Sequence, residues 1–297
     1  MKVHYISACF DSSGYAESAR NYIQALQLAG VDISLTPISF EQQKPNLGSL
    51  NAELNALVKK PGDAQIQIIH LTPENYVRFD KKGKYNIAYT TWETSKLPDQ
   101  WVPLLNSMNE VWVPSEHNKR IFIESGVLKP IYVFPHAVSN KASSPNTEDL
   151  GVNKEDNEFM FYSIFQWTER KNPTALLKAY LTEFTNKEKV SLVLKTYFMN
   201  PQNPTEKDQL KEAINNVKKR LYLPDMPKIL LISDLLSQDQ IQRLHETGDC
   251  FVSLHRCEGF GMPIAEAMQA GKPVVVTDYG GPSDFVKNGV TGFTVPY

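Results

Sequence analysis

At 297 residues, with 31 basic side chains against 33 acidic ones, the chain is long for one domain and comfortable for two, each able to bury its own core. The balance is even, 14 to 15 in the first 150 residues and 17 to 18 in the rest, so neither half has the basic field that would point to nucleic acid. Three cysteines without a C-x-x-C pair suggest neither a disulfide framework nor a zinc site, and no apolar run approaches ~18–20 residues.

Short apolar strands alternate with helical periods along the chain, the pattern of parallel sheets with crossover helices. Met1 to Phe10 reads as a short strand, without a signal peptide's basic start and longer apolar core, and the chain is expected to be soluble and cytoplasmic. In the first half, strands are predicted near 3–7, 32–37, 66–71, 87–91, 111–113 and 131–134. The clearest helices run over 16–28, ending at Gly30, and from an N-cap at Ser115 to 125, before Gly126. Charge gives a membrane partner no support. The one local cluster, Lys81, Lys82 and Lys84, is more simply a solvated loop. Between 139 and 158 the composition turns to Asn, Ser, Pro, Thr, Asp and Lys, the expected linker. The pattern then restarts with strands near 159–163, 190–195, 229–232, 250–253, 274–277 and 291–295. The reading is an α/β protein of two Rossmann-like domains, 1–148 and 149–297. Ligands of such sheets bind beyond the carboxyl ends of the strands, which places the expected site in a central cleft between the domains.

The most informative stretch is Glu258-Gly259-Phe260-Gly261-Met262-Pro263-Ile264-Ala265-Glu266. Pro263 suits a first helical position, so Glu266 falls in the first turn and Glu258 on the preceding loop. Gly259 and Gly261 flank Phe260 where a backbone must turn or approach a ligand. Carboxylates accept from hydroxyls and a helix N-terminus attracts phosphate, and a nucleotide diphosphate sugar presents both.

The run from Phe251 to Pro296, with its EGFG loop, Pro-initiated helix, Ala-Gly-Lys-Pro turn, Gly-Gly-Pro loop and Asn-Gly-Val-Thr-Gly-Phe ending, resembles the E-x7-E donor-site signature of family 4 retaining glycosyltransferases with the GT-B fold. The resemblance implies an acceptor domain followed by a nucleotide-sugar donor domain, with Glu266 on the ribose hydroxyls, Glu258 on the sugar and Gly259, Phe260 and Gly261 shaping the loop. Arg170 and Lys171, between the first strand of the second domain and a helix beginning at Pro173, suit the diphosphate and would stabilise the departing nucleotide. An exposed basic pair would read the same way. Relatives often carry an Arg where this chain has Gln166, which shifts the burden to Arg170 or to Lys195. Lys195 is read as ending its strand with its ammonium at the cleft mouth, where snorkelling to solvent explains it equally well. The segment from Ile232 to Ser237 resembles the loop whose main chain meets the base, before a Ser237-capped helix.

In the first domain, Ser12-Ser13-Gly14-Tyr15-Ala16 lies where relatives have a small-residue loop facing donor phosphate and acceptor. Gly14 is a candidate for close approach, or an ordinary turn. With one glycine it is no dinucleotide fingerprint. Glu93 takes the place where many relatives put a histidine near the transferred sugar, and could bind an acceptor hydroxyl, take its proton or stabilise positive charge on the ring. His136 is a further cleft candidate, and His70 reads as a satisfied structural histidine. No D-x-D or ligand cluster calls for a metal or cofactor, and no nucleophile elbow or P-loop is present.

The expected activity is metal-independent, retaining transfer of a sugar from a nucleotide-sugar donor to a hydroxyl acceptor such as a glycan or lipid-linked sugar. A non-catalytic nucleotide-sugar-binding subunit and a GT-B nucleotide-sugar epimerase are the alternatives. On the resemblance, the chain stops at Tyr297 before helices that relatives carry. Its C-terminal tail would then be truncated, with a partner subunit or the missing residues needed for activity.

Overall fold

The computed structural model describes residues 1–297 except 41–46, 80–82, 139–141, 146, 148 and 200–202, and the side chain of 204. Lys81 and Lys82 lie outside the described residues, while Lys84 donates to the carbonyl of Gly62 at 2.8 Å. By packing, the chain divides into two units, Met1–Ser139 with Glu258–Met262, and Asn140–Cys257 with Pro263–Tyr297.

The first unit is built on a parallel six-stranded sheet of β1 (Lys2–Ser7), β2 (Asp32–Pro37), β3 (Ile66–His70), β4 (Tyr85–Tyr89), β5 (Glu110–Val113) and β6 (Ile131–Val133), in the order β2-β1-β3-β4-β5-β6. Its strands are largely apolar because both faces are covered, with His4, Ser34, Gln67 and Asn86 among the buried polar exceptions. Successive residues feed opposite cores: Tyr5, Ile68 and Ile87 pack on one side, Ile6, Ile69 and Ala88 on the other. Helix α1 (Gly14–Leu28) starts where Ser13 accepts from the Ala16 N–H and stops before Gly30, whose φ of 77° continues no helix. Helices α2 (Ser49–Val58) and α3 (Trp101–Asn106) follow. Helix α4 (Glu116–Glu124) is capped by Ser115 and closed at Gly126, φ 101°.

The second unit's parallel sheet comprises β7 (Phe159–Gln166), β8 (Val190–Tyr197), β9 (Lys228–Ile232), β10 (Cys250–Ser253), β11 (Val274–Thr277) and β12 (Phe293–Val295), ordered β12-β11-β10-β7-β8-β9. Counted within the unit this is 3-2-1-4-5-6, the order of dinucleotide-binding sheets. Helices α5 (Pro173–Glu183) and α6 (Pro204–Leu221) cover one face, α7 (Gln238–Thr247) and α8 (Met262–Gln269) the other. Ser237 and Gln240 form a reciprocal capping box at the start of α7. Part of the stretch read as linker is packed: Leu150 and Val152 lie against the second core, and Ser143 bonds Glu246 through its N–H and hydroxyl.

Two expectations need correction. Helix α8 begins at Met262, one residue before Pro263, so Glu266 is its fifth residue and lies just beyond the first turn. Strand β8 does not end at Lys195. Thr196 and Tyr197 extend it, so Lys195 pairs with Ile164 and Ile232 inside the sheet and is only 4% exposed.

Candidate functional site

In a doubly wound sheet, a crevice opens where two neighbouring strands send their connections to opposite faces. In the second unit that point lies between β7 and β10, which are adjacent in the sheet but far apart in sequence. Two loops meet there. Leaving β7, the chain makes a short 3-10 turn, Glu169–Lys171, and reverses at Asn172, φ 53°, before Pro173 opens α5. Leaving β10, it runs through residues 254–257.

The loops are joined by hydrogen bonds. The Arg256 N–H donates to the Arg170 carbonyl at 2.8 Å, the Arg170 guanidinium to the Cys257 carbonyl at 3.1 Å, and the Arg256 Nε–H to the Glu169 carbonyl at 3.2 Å. Arg170 and Lys171 are half-buried, so the basic pair is part of a built loop, with Arg170 tied to the residue just before Glu258. The second loop is also anchored from below, because buried His255 bridges Ser253 Oγ and the Tyr279 carbonyl.

Lys195 is no cleft-mouth cation. Its ammonium sits 5.0 Å over the Tyr197 ring, and burial pushes its pKa down to about 8 against an opposing pull from Asp234. Glu266, on α8, has a side chain 15% exposed, and the buried His245 of α7 lies 3.7 Å behind it. Sequence reasoning missed three buried hydroxyls that have no hydrogen-bond partner among the described residues, at the carboxyl ends of neighbouring strands: Thr168 after β7, Thr196 in β8 and Ser233 after β9. Buried hydroxyls are nearly always satisfied, so these call for a polar group or water.

The segment Glu258–Met262 packs with the first unit. Its Gly259 carbonyl accepts from Ser115 Oγ at 2.8 Å and from Asn118 Nδ2 at 3.2 Å. Both donors are fully buried and held in turn: Ser115 Oγ accepts the Asn118 N–H, and Asn118 Oδ1 accepts from the Trp92 N–H at 2.7 Å and from Thr91 Oγ1 at 3.1 Å. A Cβ on Gly259 would lie 2.0 Å from Thr91 Oγ1, so only glycine fits against this net. Gly261 has φ 89°, the turn that lets α8 start at the next residue. The Phe260 ring is buried, 4.8 Å edge-to-face from His136, and Glu258 is 7% exposed. Ser115 is recognisable from sequence as a cap, whereas its grip on a carbonyl 144 residues away has no local signature.

The other first-unit candidates surround the strand ends of their own sheet. His136 Nδ1 lies 2.7 Å from both Ser18 Oγ and Tyr89 Oη, and burial pushes its pKa down to about 3, so it is a neutral polar group at physiological pH. His70 is fully buried among Tyr5, Tyr15, Tyr22 and Tyr89, its Nδ1 bonded to the Tyr5 hydroxyl at 2.8 Å, as a structural histidine should be. Glu93 follows β4 on a half-buried loop, near enough to Tyr15 for its charge to help hold that phenol un-ionised, after the larger effect of burial. Gly14 is the first residue of α1, with open space where a Cβ would point. It adjoins a cavity of about 210 Å³ at the β1–β3 switch point, lined by Ala8, Ser13, Tyr15, Phe40, Leu71 and Thr72. Buried Asp11 accepts from Ser39 Oγ and the Phe40 N–H, fixing the backbone that presents the exposed Phe40 ring. Among the described residues no group of three or more His, Cys, Asp and Glu could hold a metal ion, and no helix is long and apolar enough to cross a membrane.

These two sheets and the loops at their carboxyl ends define a GT-B protein of paired Rossmann-like units. The family model for glycosyl transferases group 1 matches residues 146–297, a little over half of the chain, and the chain belongs to that family. Sucrose synthase 2 of Pisum sativum is 24% identical over 155 residues, covering 50% of this chain and 19% of that protein. A sucrose synthase of Melioribacter roseus is 40% identical over 72 residues, 23% of this chain and 9% of that one. The chain thus matches about a fifth or less of the length of such relatives. Among solved structures, Anabaena Alr3699/HepE in complex with UDP and glucose shares the fold with a TM-score of 0.67 at 18% identity, covering 100% of this chain and 86% of that one. An E. coli structure bound with UDP-2-fluoro glucose does so with 0.68 at 12%, covering 100% and 88%.

Proposed function

We propose that the chain is a metal-independent, retaining glycosyltransferase of the family 4 type, moving a sugar from a nucleotide diphosphate donor to a hydroxyl acceptor. The observation that carries this reading is the junction of Arg170 with the loop before Glu258 at the β7–β10 switch point, inside the segment that matches the family.

Glu266 accepts from the ribose hydroxyls and the carboxylate of Glu258 from the sugar. Arg170 and Lys171 neutralise the diphosphate as negative charge grows on the leaving nucleotide, the task a metal performs elsewhere. Gly259, Phe260 and Gly261 set the path of the loop, and the unpaired hydroxyls of Thr168, Thr196 and Ser233 are available to the nucleotide's polar edge or its water. Buried inside β8, Lys195 adds a positive potential from beneath these loops and does not grip a phosphate at the surface.

In the first unit, the loop at Gly14 faces the donor phosphate, and the cavity beside it offers mainly apolar walls and the Phe40 ring to one face of an acceptor sugar. Glu93 binds an acceptor hydroxyl or takes its proton. Attack comes from the face the nucleotide leaves, with the departing phosphate assisting deprotonation. The neutral His136 supports the loop through Phe260.

Similar structures hold UDP with glucose, UDP-glucose and UDP-2-fluoro glucose, which makes UDP-glucose the first donor to try. The test is nucleotide release from a panel of nucleotide sugars with hydroxyl acceptors, with product anomeric configuration read by NMR, for wild type, Glu258→Ala and Arg170→Ala. Transfer with retention, lost in both variants, is expected. Binding without turnover for every acceptor would replace the reading by a non-catalytic subunit, and release of an epimerised sugar by an epimerase.

A further inference from the structure

Glu266 lies over a buried pair of ring side chains that the proposed chemistry leaves unused. His245 is 1% exposed, its Nδ1 lies 2.9 Å from the hydroxyl of the fully buried Tyr162, and its Nε2 has no hydrogen-bond partner among the described residues and lies 3.7 Å from Glu266 Oε2. The pair is tightly seated. The Tyr162 ring stands edge-on to His245 and to Phe251, at centroid distances of 5.5 and 5.2 Å. It also lies under the end of α7 at Gly248, where a Cβ would come within 2.3 Å of Tyr162 Cδ1. A side chain at 248 would therefore push the phenol away from His245.

The two ring nitrogens have distinct roles, set by their neighbours. A buried phenol must donate its proton, and burial, with a contribution from the nearby Glu266, holds the Tyr162 hydroxyl far above its ordinary pKa. If Nδ1 accepts that proton, the imidazole's own proton sits on Nε2 and points at Glu266. The opposite tautomer would leave the phenol proton unplaced and turn a lone pair toward a carboxylate.

We propose that His245 is a positioning residue for Glu266: Tyr162 fixes its tautomer, and its Nε2–H holds one carboxylate oxygen so that the other is presented to the ribose hydroxyls of the nucleotide. The separation of 3.7 Å closes to a hydrogen bond by rotation of the carboxylate about its terminal bond when the ribose engages the other oxygen. This rests on the reading of Glu266 as the ribose ligand.

The test is calorimetric titration of the full chain with UDP and with 2′,3′-dideoxy-UDP, or with the corresponding GDP pair if wild type prefers GDP. Wild type is expected to favour the nucleotide with hydroxyls by about tenfold or more, from hydrogen bonds to a charged group. His245→Leu is expected to lose most of that preference, weakening UDP about tenfold while leaving the dideoxy form unchanged. A merely structural role would weaken both alike. His245→Gln, whose amide N–H can take the place of Nε2–H, should keep the preference within about threefold, whereas His245→Asn, whose amide reaches only the Nδ1 position, should lose it. The Gln and Asn pair decides the matter if the Leu variant does not fold. Retained preference in His245→Leu or His245→Asn overturns the proposal while Glu266 keeps its role. No preference in wild type, or an undiminished one in Glu266→Gln, overturns the reading of Glu266 itself and the proposal with it.

Discussion

Gly14 and Gly259 are glycines under different constraints, and substitution separates them. At Gly259 an added methyl meets Thr91 Oγ1, which cannot retreat without breaking its bond to Asn118. Gly259→Ala is therefore expected to cost about 1–3 kcal/mol, seen as a lower thermal midpoint, and to abolish turnover by displacing Glu258. At Gly14 nothing among the described residues lies within 4 Å of the would-be Cβ. Gly14→Ala should leave stability within about 0.5 kcal/mol but raise the donor KM, because the methyl occupies the space a ligand would enter. An unchanged KM would remove Gly14 from the site. Lys195 gives a pH signature. Its folded pKa of about 8 lies below its ordinary 10.5, so the unfolded chain binds more protons between those values and stability rises with pH there. The cost of the buried charge is fully present below pH 8, about 3 kcal/mol at most by linkage, and is relieved above it. Buried Cys9 and Cys250, raised to about 11, act in the opposite sense above pH 9. The clean observable is thus wild type minus Lys195→Met, in denaturant melts from pH 7 to 10. The variant should be the more stable at pH 7, with the gap closing as pH rises.

At the scale of elements, caps and strands carry most of what local sequence can encode. Ser237 caps α7 and does nothing more in the contacts described, so Ser237→Ala should cost about 1 kcal/mol. Ser115 caps α4 and also donates to the buried Gly259 carbonyl. Ser115→Ala should then cost about 2 kcal/mol, the cap plus a weakened buried bond. Urea unfolding of both variants measures the difference, and equal losses would mean that the bond to Gly259 contributes nothing to stability. Strand β8 shows where local reading failed. The run Val-Ser-Leu-Val-Leu-Lys-Thr-Tyr reads as ending at its lysine, because a charge marks the end of a buried strand, although Thr196 and Tyr197 are strand formers and extend it. The one-residue shift at the start of α8 has a similar cause: Pro263 fits the second helical position as well as the first, and Gly261 with its positive φ sets the actual start.

At the scale of the molecule, the two sheets use different strand orders to the same end. Each has a switch point with loops at its carboxyl edge, β1 beside β3 in the first unit and β7 beside β10 in the second. At the second unit's switch point the two loops are joined through backbone carbonyls and the guanidinium of Arg170, and the proposed neutralisation of the diphosphate is by Arg170 and Lys171. Transfer is accordingly expected to continue undiminished in excess EDTA. A loss that Mg²⁺ or Mn²⁺ restores would show that the basic pair is insufficient.

The chain's own order of residues was enough to locate every strand of both sheets, because strands covered on both faces are predominantly apolar runs and the helices between them are delimited by nearby caps and glycines. It also singled out the candidate loops, through their glycines, acids and paired cations. Strand neighbours were another matter, since adjacency is a bargain among distant segments. Only the folded arrangement set β7 against β10, and so joined Arg170 to Cys257. Only it put Ser115 and Asn118 on Gly259, and His245 behind Glu266. Those contacts depend on three-dimensional packing of side chains whose local surroundings serve a cap, a helix face or a core equally well, which is why no reading of neighbours along the chain could have found them.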